Sequence, residues 1–488
     1  MNESIELKSQ SSTRWSLLTE IGAKLIAPIV NMILARLLTP EAFGVIASVN
    51  MIVSFADVFT DAGFQKYLIQ HDFKDKKDFY QHMDVAFWAN LAVSVTGWLI
   101  IFIFSEQLAE LVGNPGLGNV VWMAALSLPL TSFSSTQIAQ YRKKFDFKTL
   151  FYVRIIAACV PLFVTVPIAL FTRSYWALII GTLASNLTNA VILTARSEWK
   201  PSFHFKFSQL REMFSYSWWI LIESISVWMT AYIGTFIVGQ FLSQTEVGLY
   251  KTGMSTVNQI ITLVSVSISN PMFSALSALK DNAKEFCDIF YKYIRAVGTL
   301  MIPLAVGMLL YNELITSILL GSQWISISGF VGFWGFANAL TLIWGSYCNL
   351  VFNAKGKPQL SVLSSFLQLI VLIPTIIIGC QINFDTLCFL RCLVRFELIP
   401  VQAIMIKFIM HMHPSKYFVQ AVPSIICTAI MAFVGVFLKS ISTNLLWQIV
   451  SVVICIGIYF TAYVLLFRKK LIESFATLGL KFKRIKNS

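Results

Sequence analysis

Leu445-Leu-Trp-Gln-Ile-Val-Ser-Val-Val-Ile-Cys-Ile-Gly-Ile-Tyr-Phe-Thr-Ala-Tyr-Val-Leu-Leu-Phe467 runs for 23 residues without a charged side chain, and Arg468-Lys-Lys470 follows at once. A membrane-spanning helix needs about 20 predominantly apolar residues, and this stretch supplies them with a basic stop at its end. The reading extends to the whole chain. Of 488 residues 57% are hydrophobic and only 12% charged, with a mean hydropathy of +0.72, where a soluble chain carries about 25% charged residues. Hydrocarbon demands that deficit, because each ion buried in it is costly. The expected fold class is an all-α integral membrane protein.

Fourteen runs of this kind fall at 14–36, 42–62, 80–104, 119–139, 149–171, 175–196, 214–240, 246–270, 288–311, 327–351, 359–380, 384–408, 418–438 and 445–467. An even number returns both ends to one side, and lysine and arginine name that side. The termini and the loops after even-numbered runs, with the adjoining helix ends, hold 29 of the 37 basic residues. The opposite face holds three, Arg36, Arg173 and Lys439, and five lie within runs. A missed or invented span would break this alternation downstream, and it does not break. Both termini are therefore expected in the cytoplasm. The first run has no small-residue cleavage site and is expected to remain as a helix rather than leave as a signal peptide.

The net charge of +13 is spread over short loops and the tail Lys481-Phe-Lys-Arg-Ile-Lys486. That distribution excludes a basic nucleic-acid domain and suits a topology anchor near anionic head groups. The longest outer loop, about Ser105 to Gly118, is too short for a soluble domain. The eight cysteines form no C-x-x-C pair. Cys388 and Cys392, one turn apart in an apolar run, read as small buried hydrophobes. No nucleotide, hydrolase or metal motif is present, so the chain is expected not to be an enzyme and to need no cofactor. Any driving energy would come from an ion gradient, H+ or Na+, or from the substrate's own gradient.

An internal repeat is visible at an offset of 204 residues: Leu37-Leu-Thr-Pro-Glu-Ala-Phe-Gly44 against Phe241-Leu-Ser-Gln-Thr-Glu-Val-Gly248, with Trp15 against Trp219. A repeat of six spans keeps its orientation, so the copies form a parallel pair. The expected organisation is an N-lobe at 1–205, a C-lobe at 206–410 facing it across a central cavity, and two added helices with the tail at 411–488.

Lys251, Ser255, Asn258, Thr262, Ser265 and Ser269 recur every three or four residues and share one helix face. The first copy offers Asn50, Ser54, Asp57 and Asp61 in the same manner. Both faces read as cavity walls, against the alternative of hydrogen bonding between helices. Ionisable residues within spans are functional candidates because their insertion costs about 2.5–3.5 kcal/mol each. Lys24 sits mid-span near Pro28, and Arg391 and Arg395 lie one turn apart, a forked pair suited to phosphate or carboxylate. Lys24, Lys251, Arg391 and Arg395 are thus the candidate cations. Asp57, Asp61 and Glu223 are their candidate ion-pair partners or ion-coupling groups. Arg154 and Asp84 lie near the cytoplasmic ends, where snorkelling would explain them. Prolines 28, 161, 167, 303, 374, 400 and 423 fall inside spans, where they kink helices around a cavity.

Ala35-Arg-Leu-Leu-Thr-Pro-Glu-Ala-Phe-Gly-Val-Ile46, with Phe59-Thr-Asp-Ala-Gly-Phe-Gln-Lys-Tyr-Leu-Ile-Gln70, resembles the N-terminal signature of bacterial oligosaccharide-repeat-unit flippases. These are Wzx-type exporters of the polysaccharide transporter branch of the MOP superfamily, the colanic acid and teichuronic acid exporters being nearest. The likeness continues through Ala139-Gln-Tyr-Arg-Lys-Lys-Phe-Asp-Phe147, Tyr216 to Ile233, Val247-Gly-Leu-Tyr250, Asn270-Pro-Met-Phe-Ser-Ala-Leu276 and Leu320-Gly-Ser-Gln-Trp324, and so spans most of residues 12 to 360. Beyond about 385 it is a likeness of hydropathy alone, so Arg391 and Arg395 rest on physical reasoning. The resemblance implies a bacterial inner-membrane protein that flips undecaprenyl-pyrophosphate-linked oligosaccharide by alternating access, for O-antigen, capsule or exopolysaccharide synthesis. It implies membrane lipid as a partner, and the polymerase and chain-length regulator of the pathway as further ones. The rivals are a multidrug/cation antiporter or lipid II flippase of the same architecture, a membrane glycosyltransferase or polymerase, and a non-transporting scaffold. Short outer loops argue against the enzyme, and intramembrane charges without a task argue against the scaffold.

Overall fold

The computed structural model describes residues 26–61, 64–144 and 146–477, with side chains except at 61, 70, 215–220, 223, 266, 267 and 358. The chain is helical throughout these residues. After α1 (Ile26–Leu37), Pro40 opens α2 (Pro40–Asp61), its fixed φ and missing N–H suiting a first turn. The short α3 (Phe64–Gln70) leads to α4 (Lys76–Ile103), which Asp75 caps by accepting the Asp78 N–H at 2.7 Å. Then come α5 (Ser105–Leu111), α6 (Gly118–Ala125) and α7 (Ser127–Lys143). Asp146 caps α8 (Phe147–Phe163), and α9 (Thr165–Thr172) ends where Arg173 turns left-handed at φ 47°. They are followed by α10 (Trp176–Arg196) and the 35-residue α11 (Phe207–Phe241) and α12 (Gln244–Ala278).

Asn282 caps α13 (Ala283–Leu310), and α14 (Asn312–Leu319) follows. A 3-10 turn at Ser322–Ile327 runs into α15 (Ser328–Thr341), a π-helical turn at Leu342–Ser346 and α16 (Tyr347–Ala354). Next are α17 (Pro358–Ile382), the Asn383-capped α18 (Phe384–Phe396), α19 (Leu398–Ile409), α20 (Pro414–Ile441) and α21 (Leu445–Thr477).

These helices gather into two compact units that part between Lys251 and Thr252, inside α12. In the first unit α2, α4, α7 and α10 enclose clusters around Val45, Val49 and Val121 and around Met83, Phe87 and Trp199. In the second unit α13 is the central helix, packed by α15, α20 and α21. The outward faces are greasy, with Phe163, Phe171, Phe433, Leu446 and Leu465 exposed. In water such surface would be a liability; in a bilayer it meets acyl chains. The protein is a multi-pass membrane protein.

Among the described residues ten helices are long and apolar enough to cross a membrane, or eleven with the two bent halves of α12 taken as one. The fourteen expected spans differ from this at three places. Only α1 of the first span is described. The run at 119–139 is two helices meeting at Leu126, and 384–408 is α18 and α19 meeting at Glu397. The run at 149–171 breaks at Val164, between Pro161 and Pro167. Each break adds a polar backbone requirement that an average over 20 residues conceals. The 48° bend of α12 lies between Ser265 and Ile268. Pro271 cannot donate to the carbonyl four residues before it, which accounts for the position of the bend.

Ends that the basic residues assign to one face meet in space. Glu198, just past α10, accepts from Lys144 at 2.7 Å and Lys76 at 3.2 Å. The two ammonium groups hold its carboxyl down at about 2, from an ordinary value near 4.5. A depressed carboxylate stabilises the fold above its unfolded pKa and loses that contribution as pH falls through its folded value. The melting advantage of wild type over Glu198→Gln is therefore expected to be flat from about pH 8 to 5. It should fade only below about 4.5 and weaken in high salt, because the group is fully exposed.

Asp84 does not snorkel. It is 4% exposed and accepts from Trp199 Nε1 at 3.0 Å and from the backbone N–H and hydroxyl of Ser202 at 2.9 and 2.5 Å. It anchors the segment between α10 and α11.

Candidate functional site

Two arginines a turn apart on α18 face two polar or aromatic residues a turn apart on α15. The Arg391 guanidinium carbon lies 4.7 Å from the Trp334 ring centroid and that of Arg395 6.0 Å from it. Arg395 Nε donates to Asn338 Oδ1 at 3.2 Å. Asn338 Nδ2 donates in turn to Asn258 Oδ1 at 2.6 Å, which also accepts Trp334 Nε1 at 3.3 Å. Thr341 Oγ1 donates to the Arg395 carbonyl at 3.1 Å. Asn258 thus joins the α12 stripe to the arginine pair through a single amide.

This arrangement orients the cations without neutralising them. Planar guanidinium stacks on an indole face, and an amide oxygen fixes Arg395 through Nε while its Nη groups bond no described residue. No carboxylate of a described residue pairs with Arg395. Arg391 is 7% exposed, so its charge sits in an environment where an anion would be held strongly.

In the first unit, Ser54 accepts from Trp228 Nε1 at 3.0 Å. Asp57, exposed, accepts from Thr60 Oγ1 at 2.8 Å and Thr131 Oγ1 at 3.2 Å. Trp228 packs on Phe55 with centroids 4.7 Å apart and stacks on Tyr232 at 5.6 Å. Lys251 Nζ stands 4.6 Å from the Tyr232 centroid and donates to the Ala231 carbonyl at 3.4 Å. Ser54 and Lys251 are therefore linked by an aromatic strip on α11. Asn50 is exposed. Lys24 lies outside the described residues, as do the side chains of Asp61 and Glu223.

The rest of the stripe turns partly onto neighbouring helices. Ser255 donates to the Thr252 carbonyl at 3.1 Å and Ser269 to the Ser265 carbonyl at 2.8 Å, each within α12. The Ser265 carbonyl also accepts Tyr347 OH at 3.3 Å. At Asn258 and Ser265, then, the stripe makes hydrogen bonds between helices. Sequence reasoning missed Trp334, Asn338, Trp228 and Tyr232. The available signal was the four-residue spacing of Trp334 with Asn338 and of Trp228 with Tyr232, the same step that singled out Arg391 and Arg395.

Residues 33–329 match the family model described as polysaccharide biosynthesis protein. The chain belongs to that family. It is 20% identical over 384 residues to the lipopolysaccharide biosynthesis protein WzxC of Escherichia coli (strain K12), covering 78% of this chain and 76% of the relative. It is 23% identical over 313 residues to the succinoglycan biosynthesis transport protein ExoT of Rhizobium meliloti (strain 1021), covering 64% and 62%. Its fold resembles that of the lipid II flippase MurJ in an inward closed conformation, with a TM-score of 0.73 at 12% identity over 93% of this chain and 99% of that one. The matched family region ends just inside α15, so Trp334, Asn338, Arg391 and Arg395 lie beyond it.

Proposed function

We propose that this chain carries lipid-linked oligosaccharide repeat units from the cytoplasmic to the outer leaflet by alternating access, for polysaccharide assembly. The observation that carries the reading is the Arg391–Arg395 pair, held on Trp334 and tied through Asn338 to Asn258. A phosphate-bearing sugar head cannot cross hydrocarbon unaided, because each charge there costs several kcal/mol. An oriented cationic receptor lowers that barrier while the lipid tail stays in the bilayer. Membership of the family and the likeness to named exporters support this substrate class. Lys251, over Tyr232, serves as a second cationic contact. Both termini lie in the cytoplasm, and Asp57, held by two threonine hydroxyls, is the group to exchange H+ or Na+.

The test follows lipid-linked repeat units in cells lacking the protein, with a membrane-impermeant sugar-modifying reagent to report the leaflet. Units are expected to accumulate on the cytoplasmic side and to be cleared on complementation. If units reach the outer face without the protein yet stay unpolymerised, the protein is an assembly enzyme and the transport reading falls.

A further inference from the structure

The tightest backbone approach in the first unit lies between the first turns of α2 and α12. A Cβ placed on Gly44 would stand 1.8 Å from the Gln244 carbonyl oxygen, and one on Gly248 would stand 1.8 Å from the Pro40 carbonyl oxygen. The same two would also stand 3.0 and 2.9 Å from the other glycine's nitrogen. The contact is reciprocal: each helix lays the carbonyl of its opening residue on a glycine one turn into the other. Pro40 and Gln244, and likewise Gly44 and Gly248, are separated by the 204-residue offset of the sequence repeat. The repeat is therefore expressed in space as a local twofold pairing, and only glycine fits at its centre.

Neutral hydrogen bonds surround the pairing. Gln244 Nε2 donates to the Gly113 carbonyl at 2.8 Å, and its Oε1 accepts from Ser48 Oγ at 3.3 Å. Gln240 Nε2 donates to the Leu111 carbonyl. Gly113, at φ +76°, lets the turn after α5 lie directly on the end of α11, where a Cβ would come 2.3 Å from the Gly239 oxygen. Lys251 and Tyr232 lie just inside, less than one turn past Gly248.

We infer that this crossing is an outer gate: a glycine-on-backbone contact, latched by Gln244, that parts in each transport cycle. The inference rests on the transport reading and on the outer side being the one that lysine and arginine avoid. Three features make it a gate and not a fixed joint. The Pro40 and Gln244 carbonyls already accept from the fourth N–H of their own helices, so parting leaves no backbone group unsatisfied. No side chain interdigitates between the glycines, so parting opens no cavity. The latch bonds named are neutral, and water replaces them without separating charge. The inner end, by contrast, is held by the ion pairs of Glu198.

The test uses Ser48→Cys, buried at 2% exposure beside the latch, and a membrane-impermeant maleimide added from outside. The unsubstituted chain with its eight native cysteines serves as the background. Introducing Gly44→Leu or Gly248→Leu is expected to speed labelling at least fivefold at equal membrane yield. Equal protection in all of them would overturn the gate. As a second arm independent of glycine replacement, Ser48→Cys with Gln244→Cys is joined by a short reducible bis-thiosulfonate. Clearance of lipid-linked units should stop on joining and recover on reduction. Unchanged clearance in the joined protein would mean a static joint. Failure of the unsubstituted protein to clear units at all would instead sink the transport reading, while the labelling still reports whether the crossing opens.

Discussion

Cells whose only copy carries Arg391→Ala with Arg395→Ala are expected to clear lipid-linked repeat units at under about one-hundredth of the wild-type rate. A charge-assisted hydrogen bond contributes about 1.5–3 kcal/mol, and about 1.4 kcal/mol is tenfold. Removing one such bond at each arginine costs about 3–6 kcal/mol in sum, and each single variant should fall about tenfold or more. Arg395→Lys restores charge but not the Nε bond to Asn338 or the planar stack on Trp334, so it should recover only part of the rate. Thermal stability should move the other way. Removing a buried cation relieves a desolvation cost, so the double variant should melt at or above the wild-type temperature in the same detergent. Normal clearance by a well-expressed double variant would remove the arginine cluster from the mechanism. A large drop in melting temperature would make it a structural tie instead.

Asp84→Ala is expected to lower unfolding stability by about 3–5 kcal/mol, the cost of breaking a buried charged network by removing one partner. Three donors lose their acceptor together, those of Trp199 Nε1 and of the Ser202 N–H and hydroxyl. Asp84→Asn keeps one acceptor oxygen but turns an amide N–H₂ toward donors, and should recover about half of the loss. Ser202→Ala removes a single hydroxyl and should cost about 1 kcal/mol. Thermal melts of purified protein, with protease susceptibility of the segment between α10 and α11, check the order Ala below Asn below wild type. Equal melts for Asp84→Ala and wild type would show that water satisfies these donors as well as the carboxylate does.

The membrane class, the helical runs and the direction-keeping repeat were legible in the sequence because hydropathy and charge act on blocks of residues. So was the pairing of Asn258 with a cationic face, since polar residues at helical spacing in an apolar run must find partners. The breaks at Leu126, Val164 and Glu397 were not legible as breaks, because two or three residues barely alter the mean of twenty. Trp334 and Trp228 escaped because an aromatic ring in an apolar helix reads the same whether it meets lipid or a guanidinium. Asp84 was misread for a different reason. Its partners lie about 115 residues away, and nothing local distinguishes an anchored carboxylate from a snorkelling one. Gly44 and Gly248 were seen as a repeat, but their approach was not, since sequence identity carries no distance.

The π-helical turn at Leu342–Ser346 corrects a mismatch of phase. Asn258 and Ser265, seven residues apart, lie on nearly one meridian of α12. Their partners Asn338 and Tyr347 are nine apart, and nine residues of unbroken α-helix turn through about 900°, which would leave them on opposite sides of the rod. One residue absorbed by the wider turn reduces this to about 800°, bringing the two within about 80° of alignment. The insertion thus acts as a vernier between two helices whose polar residues were set at different intervals. Deleting Ile343 would restore an unbroken α-helix and swing Tyr347 away from α12, with every side chain after it on α16 displaced by about 100°.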